Sequence, residues 1–215
     1  MLCRTERKPL LPDADNAAEG KSNRFSSIPE VLTIMSILGI IALVFGIAGV
    51  LLTIKQSIWC WPTALISVVT SGYEFYESRL FGDMALQVFY FVSGVYGWIY
   101  WEKNKNKEFS VTTLPKKWIA PLLIITAAQA IIYYFLLCHF KGDKVVADAI
   151  LTACSISATY MMTKKWIENW LCWVLIDFAY ILLYISKDLW LYALLYLFFT
   201  LMAAYGFYKW KTQKS

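Results

Sequence analysis

Residues 31–54 read VLTIMSILGIIALVFGIAGVLLTI, 24 positions without a charged side chain. About 20 consecutive apolar residues carry an α-helix across a hydrocarbon core roughly 30 Å thick. No water inside that core pairs with backbone amides, so the segment must satisfy them itself, and a helix does so within one stretch of chain. The apolar side chains run continuously instead of alternating, which disfavours a strand of a membrane barrel.

Six more stretches repeat the pattern at 58–80, 84–101, 118–140, 145–163, 166–186 and 189–208. The second passes through Glu74 and Glu77 near its end, and the fourth has only His139 to titrate. Asp148 lies at the start of the fifth, while the sixth holds Glu168 at one end and Asp177 in the middle. The 215 residues are 59% hydrophobic and 16% charged, with a mean hydropathy of +0.53. Soluble domains run about 45–50% apolar and about 25% charged, so this chain lacks the charge to cover a water-facing surface. The expectation is an all-α membrane protein of seven transmembrane helices. Five scattered cysteines do not make a secreted disulfide scaffold.

Residues 1–30 read as a flexible polar tail, and residues 31–215 as one membrane domain. Within the tail, residues 6–11 (ERKPLL) resemble an acidic dileucine sorting signal. The apolar run that follows is too long and too late for a signal peptide. Lysine and arginine near the membrane set orientation. Lys55, Lys103, Lys105, Lys107, Lys116, Lys117, Lys164, Lys165, Lys209, Lys211 and Lys214 collect on one side. Lys21, Arg24, Arg79, Lys141, Lys144 and Lys187 fall on the other. The N-terminus is therefore expected outside and the C-terminus in the cytoplasm. The net charge of +5 follows from this topology and implies no nucleic-acid partner.

Tyr96-Gly97-Trp98-Ile99-Tyr100-Trp101 returns as Tyr205-Gly206-Phe207-Tyr208-Lys209-Trp210, 109 positions later. The same offset carries Trp61 onto Trp170 and Leu80 onto Leu189. Residues 31–101 thus read as a first repeat, 118–140 as a linker helix and 145–210 as a second repeat. One linker helix restores direction, giving a 3+1+3 parallel repeat with a solute site expected near the midplane between halves.

Ionisable groups at depth cost roughly 2.5–3.5 kcal/mol on insertion scales and are functional candidates for that reason. Asp177 lies 12 residues after Lys165 and 9 before Ser186, or about 18 and 14 Å from the two ends at 1.5 Å per residue. Trp173 stands one turn before it and Tyr180 three residues after. A carboxylate between aromatic faces suits an organic cation, with cation–π contact worth about 0.5–2 kcal/mol. Internal pairing or protonation of Asp177 is the alternative. Gln87, with Tyr90 close by on the third span, offers an amide donor and acceptor to a ligand, or else a helix–helix hydrogen bond. Tyr196, in the seventh span, is a further candidate. Gln129, midway along the linker helix, reads as a packing residue. Trp59-Cys60-Trp61-Pro62 opens the second span, with proline tolerated in the first turn and the tryptophans suited to an interfacial belt.

Other classes lack their parts. No Gly-x-x-x-x-Gly-Lys-[Ser/Thr] loop is present for nucleotide-driven pumping. One histidine and cysteines away from ligand spacing offer no metal site and no nucleophilic dyad. Neither an enzyme nor a bound cofactor is expected.

At Trp59-Cys60-Trp61-Pro62, Gln87, Tyr96-Gly97-Trp98, Trp101 and Trp173-x-x-x-Asp177, the chain resembles the PnuC family of bacterial vitamin transporters over residues 31–215. Nicotinamide riboside transporters of that family carry Trp-Asn-Trp-Pro and Trp-x-x-x-Asn-x-x-x-Tyr at these places. Here Cys60 and Asp177 replace the asparagines, and Ile181 stands where tyrosine is expected, with Tyr180 and Tyr184 as the nearest substitutes. The resemblance implies a seven-helix 3+1+3 fold related to sugar transporters of the SWEET type. It also implies facilitated diffusion across the inner membrane, trapping by a cytoplasmic kinase, and a homotrimer. It places Trp59, Cys60, Trp61, Gln87, Trp173 and Asp177 around a midplane site. Nicotinamide riboside carries a pyridinium and thiamine a thiazolium, so thiamine is the alternative substrate. A non-transporting membrane scaffold or receptor is the rival from another class.

Overall fold

Each of the seven apolar stretches forms one helix, because a backbone in lipid has no other partner for its amides. The computed structural model describes residues 37–77, 81–105, 109–139, 145–186, 188 and 190–213, without the side chains at 81–83 and 85. The tail at 1–30, its run at 6–11, and Arg79, Lys107, Lys141, Lys144, Lys187 and Lys214 lie outside the described residues. The helices are α1 (Ile37–Ile54), α2 (Cys60–Glu77), α3 (Phe81–Asn104), α4 (Lys116–His139), α5 (Val145–Thr163), α6 (Glu168–Ile185) and α7 (Trp190–Thr212). Five of them, α1 and α4 to α7, are long and apolar enough to cross a membrane. The polar side chains Glu74, Glu77, Gln87 and Glu102 fall on α2 and α3.

Large apolar side chains face outward along these helices. Leu175 is 69% exposed, Ile124 68% and Ile132 65%, and α4 buries no residue at all. In water such a surface would drive aggregation; against lipid tails it is the matched one. Interhelical packing sets the order of the bundle: α2 lies between α1 and α3, α6 between α5 and α7, and α4 against α5. The halves meet where α1 touches α7 and α3 touches α5.

The 109-residue offset seen in the sequence recurs as geometry. Trp61 and Trp101 stand edge-on, with ring centroids 5.4 Å apart and planes at 90°, and Trp170 and Trp210 repeat both values. Gly97 lies under the Trp61 ring and Gly206 under that of Trp170, and in each place a Cβ would overlap the indole. Gln56 and Lys165, with φ of 55° and 53°, make the same left-handed turn before α2 and α6. Trp101 donates its indole N–H to the Thr163 carbonyl at 3.0 Å, and Trp210 donates to that of Ile54 at 3.2 Å. Each bond ties the third helix of one set to the first helix of the other. A buried hydrogen bond of this kind contributes about 1 kcal/mol net and costs more when broken one-sidedly.

The segment before α4 is strapped to the opposite half as well. Thr112 N–H donates to the Lys165 carbonyl at 3.1 Å, and Ile167 N–H donates to that of Thr112 at 2.9 Å. Leu114 N–H donates to Glu168 Oε2 at 2.7 Å. These bonds engage the Lys165 carbonyl and the Ile167 amide on either side of Trp166, and α6 begins at Glu168, two residues later than its apolar run.

Candidate functional site

Asp177 sits midway along α6 and is 6% exposed. Among the described residues it accepts no hydrogen bond and makes no ion pair. A carboxylate so placed is the costliest polar feature at depth. Tyr196 of α7 lies within electrostatic reach of it. The Tyr196 ring is 4.8 Å from Tyr180 and 5.2 Å from Tyr184, and Tyr184 stacks on Tyr192 at 5.4 Å and 24°. The tyrosines recur every fourth residue, 180 and 184 on α6, 192 and 196 on α7, which puts each pair on one helix face. Their rings form a wall from the end of α6 remote from Lys165 down to Asp177.

The other expected residues are distributed as follows. Trp173, one turn before Asp177, packs against the buried cluster of Ile54, Ile167, Trp170 and Trp210. Gln87 lies against α2, where a methyl at Gly72 would meet its Cβ at 3.4 Å. Tyr90 reaches Ser155 of α5 with its hydroxyl. Gln87 and Tyr90 therefore stand in the first half and the Asp177 group in the second, while Gln87 and Tyr196 are counterparts under the 109-residue offset. Trp59 is 67% exposed at the lysine-rich end, and Cys60 and Trp61, each 2% exposed, are buried beneath it. The structure thus brings Asp177, Tyr180 and Tyr196 together and sets Trp59, Cys60 and Trp61 at the helix end, with Cys60 and Trp61 packed against Trp101 rather than Asp177. Trp61 and Trp170 each bury an indole N–H that has no partner among the described residues.

Tyr180 and Tyr184, the tyrosines nearest position 181, both stand against Tyr196, and Tyr192 is an addition that the sequence signals only by its four-residue spacing to Tyr196. A cavity of about 310 Å³ between α3, α4 and α5 is lined by none of the nine expected residues. Gln129 faces it with an Oε1 that has no donor among the described residues. No cluster of three or more metal-ligating side chains occurs among the described residues.

Seven helices, five of them long and apolar enough to cross a membrane, with large apolar side chains turned outward, define a multi-pass membrane protein. Residues 36–212 match the family model described as nicotinamide mononucleotide transporter. The chain belongs to that family, and so to the membrane transporters rather than the enzymes. It is similar to the nicotinamide riboside transporter PnuC of Escherichia coli (strain K12), with 26% identity over 174 residues, 68% of this chain and 73% of that protein. The protein of the same name from Haemophilus influenzae is 26% identical over 180 residues, 79% and 78% of the two chains. The riboflavin/roseoflavin transporter RibM of Streptomyces davaonensis is 27% identical over 150 residues, 66% of each. A crystal structure of the vitamin B3 transporter PnuC superposes with a TM-score of 0.68 at 23% identity, covering 86% of this chain and 85% of that one, a likeness of fold. The family resemblance read from the tryptophan and tyrosine motifs is borne out.

Proposed function

We propose that the chain mediates facilitated diffusion of a cationic vitamin, nicotinamide riboside foremost, across the inner membrane, with phosphorylation by a cytoplasmic kinase trapping it. The observation that carries this reading is Asp177, buried without a counter-charge beside Tyr180 and Tyr196. A pyridinium there would neutralise the carboxylate and stack on the rings. Nicotinamide mononucleotide adds a phosphate of about −1.5 to −2 charges. α6 has no lysine or arginine and α7 none before Lys209, so that phosphate would meet no cation near Asp177. The riboside, rather than the nucleotide, is the better electrostatic match. Carboxylate and thiol in place of the family's asparagines favour thiamine as the second reading.

The 3+1+3 parallel arrangement of the SWEET type is part of the proposal, supported by the paired indole geometry of the two halves. Gln87, Tyr90 and Trp173 are assigned to the substrate passage with Asp177, Tyr180 and Tyr196, and Trp59, Cys60 and Trp61 to its lysine-rich end. That end holds Lys55, Lys103, Lys105, Lys116, Lys117, Lys164, Lys165, Lys209 and Lys211, at the termini of α1, α3, α4, α5 and α7. The excess supports a cytoplasmic C-terminus and an external N-terminus. A homotrimer is proposed from the resemblance.

Flux into liposomes tests the function. Nicotinamide riboside should equilibrate without being concentrated, and thiamine should compete, while nicotinamide mononucleotide should remain outside. Absence of flux for every cationic vitamin, with the protein folded, would return the chain to the scaffold or receptor class.

A further inference from the structure

The cavity between α3, α4 and α5 serves no step of vitamin passage described above. Its α4 wall is Trp118, Leu122, Ile125 and Gln129, spaced by four, three and four residues along one helix face. At 1.5 Å per residue it spans about 16 Å, from the lysine-rich end to mid-depth. Three hydroxyls in its wall are already engaged: Thr159 donates to the Ser155 carbonyl at 2.9 Å, Thr163 to that of Thr159 at 3.1 Å, and Ser157 is paired with Thr126 at 2.6 Å. Apart from Gln129 at its inner end and the hydroxyls of Ser93 and Tyr160, the slot offers hydrocarbon and ring, which suits a chain better than a sugar. α4 buries no residue, so the slot is reached sideways from the bilayer.

The mouth of the slot is basic. Lys164 Nζ donates to Tyr96 Oη at 3.2 Å and lies 3.7 Å from the Tyr100 ring centroid, which pins the ammonium at the rim. Lys116 and Lys117 open α4 beside Trp118. Lysines at a helix N-terminus oppose the macrodipole, so they do not serve to stabilise α4; together with the dipole they favour an anion. We propose that this slot seats one acyl chain of an anionic phospholipid, with its phosphate held by Lys164, Lys116 and Lys117. Because lipid tails are as apolar as the slot, chain burial gives little selectivity and the head-group charge decides the occupant. Each engaged lysine should favour the anionic lipid roughly five-fold.

Native mass spectrometry of the full chain in detergent, titrated with phosphatidylglycerol and phosphatidylcholine of identical chains, tests this. Phosphatidylglycerol should be retained on the order of a hundred-fold better, from three lysines at roughly five-fold each, and Lys164→Gln should cut that preference roughly five-fold. Ile125→Trp, which fills the slot, should abolish retention while leaving the melting temperature in place; if this variant does not fold, the Lys164→Gln arm decides. Gln129→Leu should retain the lipid, and glycerol 1-phosphate, the head group without chains, should not displace it. Equal retention of both lipids, unchanged retention in folded Ile125→Trp, loss in Gln129→Leu, or displacement by glycerol 1-phosphate would each overturn the proposal.

Discussion

The indole of Trp210, near the end of the last helix, donates its N–H to the carbonyl of Ile54, the last residue of the first helix, at 3.2 Å. Trp101 and Thr163 make the counterpart bond 3.0 Å long. The two bonds clasp the halves at one end of the bundle, and the tyrosine wall above Asp177 starts from the other.

Trp210→Phe keeps the ring edge against Trp170 and removes the donor. A loss of about 1 kcal/mol is expected, read as a melting temperature about 2–4 °C lower for a chain of this size. Trp101→Phe should lose a similar amount. A detergent-solubilised variant that melts with the native chain would show that the clasp contributes nothing.

Gly97→Ala and Gly206→Ala each place a methyl inside the van der Waals envelope of a buried indole, with Trp170 Cε3 and Cζ3 2.7 Å from the second. Overpacking of this kind costs roughly 1–3 kcal/mol. The melting temperature of both variants should fall, that of Gly97→Ala further, because its methyl would overlap the Trp61 ring more deeply than the Gly206 methyl overlaps Trp170. Unchanged stability at either position would mean that the indole yields freely.

Asp177→Asn retains shape and removes the charge. Affinity for nicotinamide riboside should fall ten-fold or more, a change of about 1.4 kcal/mol, while the reduced, uncharged dihydronicotinamide riboside should bind as before. Calorimetric titration of both ligands against both proteins gives the comparison. Equal losses for the two ligands would remove the counter-charge role.

Burial beneath Trp101 and Phe109 pushes the Lys165 ammonium below its ordinary range, partly opposed by Cys60. The folded chain therefore releases this proton at a lower pH than the unfolded chain does. Stability should rise as pH climbs from the depressed folded value to the ordinary lysine range, since the unfolded state binds more protons there. Lys165→Met should flatten that rise in alkaline denaturation curves. A parallel pH dependence in the variant and native chains would contradict the assignment.

The helices were legible in the sequence because a bilayer leaves a 20-residue apolar stretch one way to satisfy its backbone. Expected and observed segments agree to within a few residues, and α6 deviates where Thr112 and Glu168 draw the chain into a strap. Asp177 was legible for a related reason: where charge is scarce, a carboxylate at depth is conspicuous. The repeat was legible because Tyr-Gly and Trp recur at one offset.

Only the tertiary structure decided what those residues face. Periodicity places Trp61 on a helix but does not say whether its ring meets a ligand, lipid or another indole. The approach of α3 places it over Gly97 and against Trp101. Nor does spacing reveal that Tyr184 and Tyr192 close on one another across two helices, or that α3, α4 and α5 leave a slot faced by a Gln129 Oε1 with no donor among the described residues. Helix formation in a membrane is local and follows from composition. The choice of neighbour depends on side-chain shapes and on backbone approaches between distant segments, which no single stretch encodes.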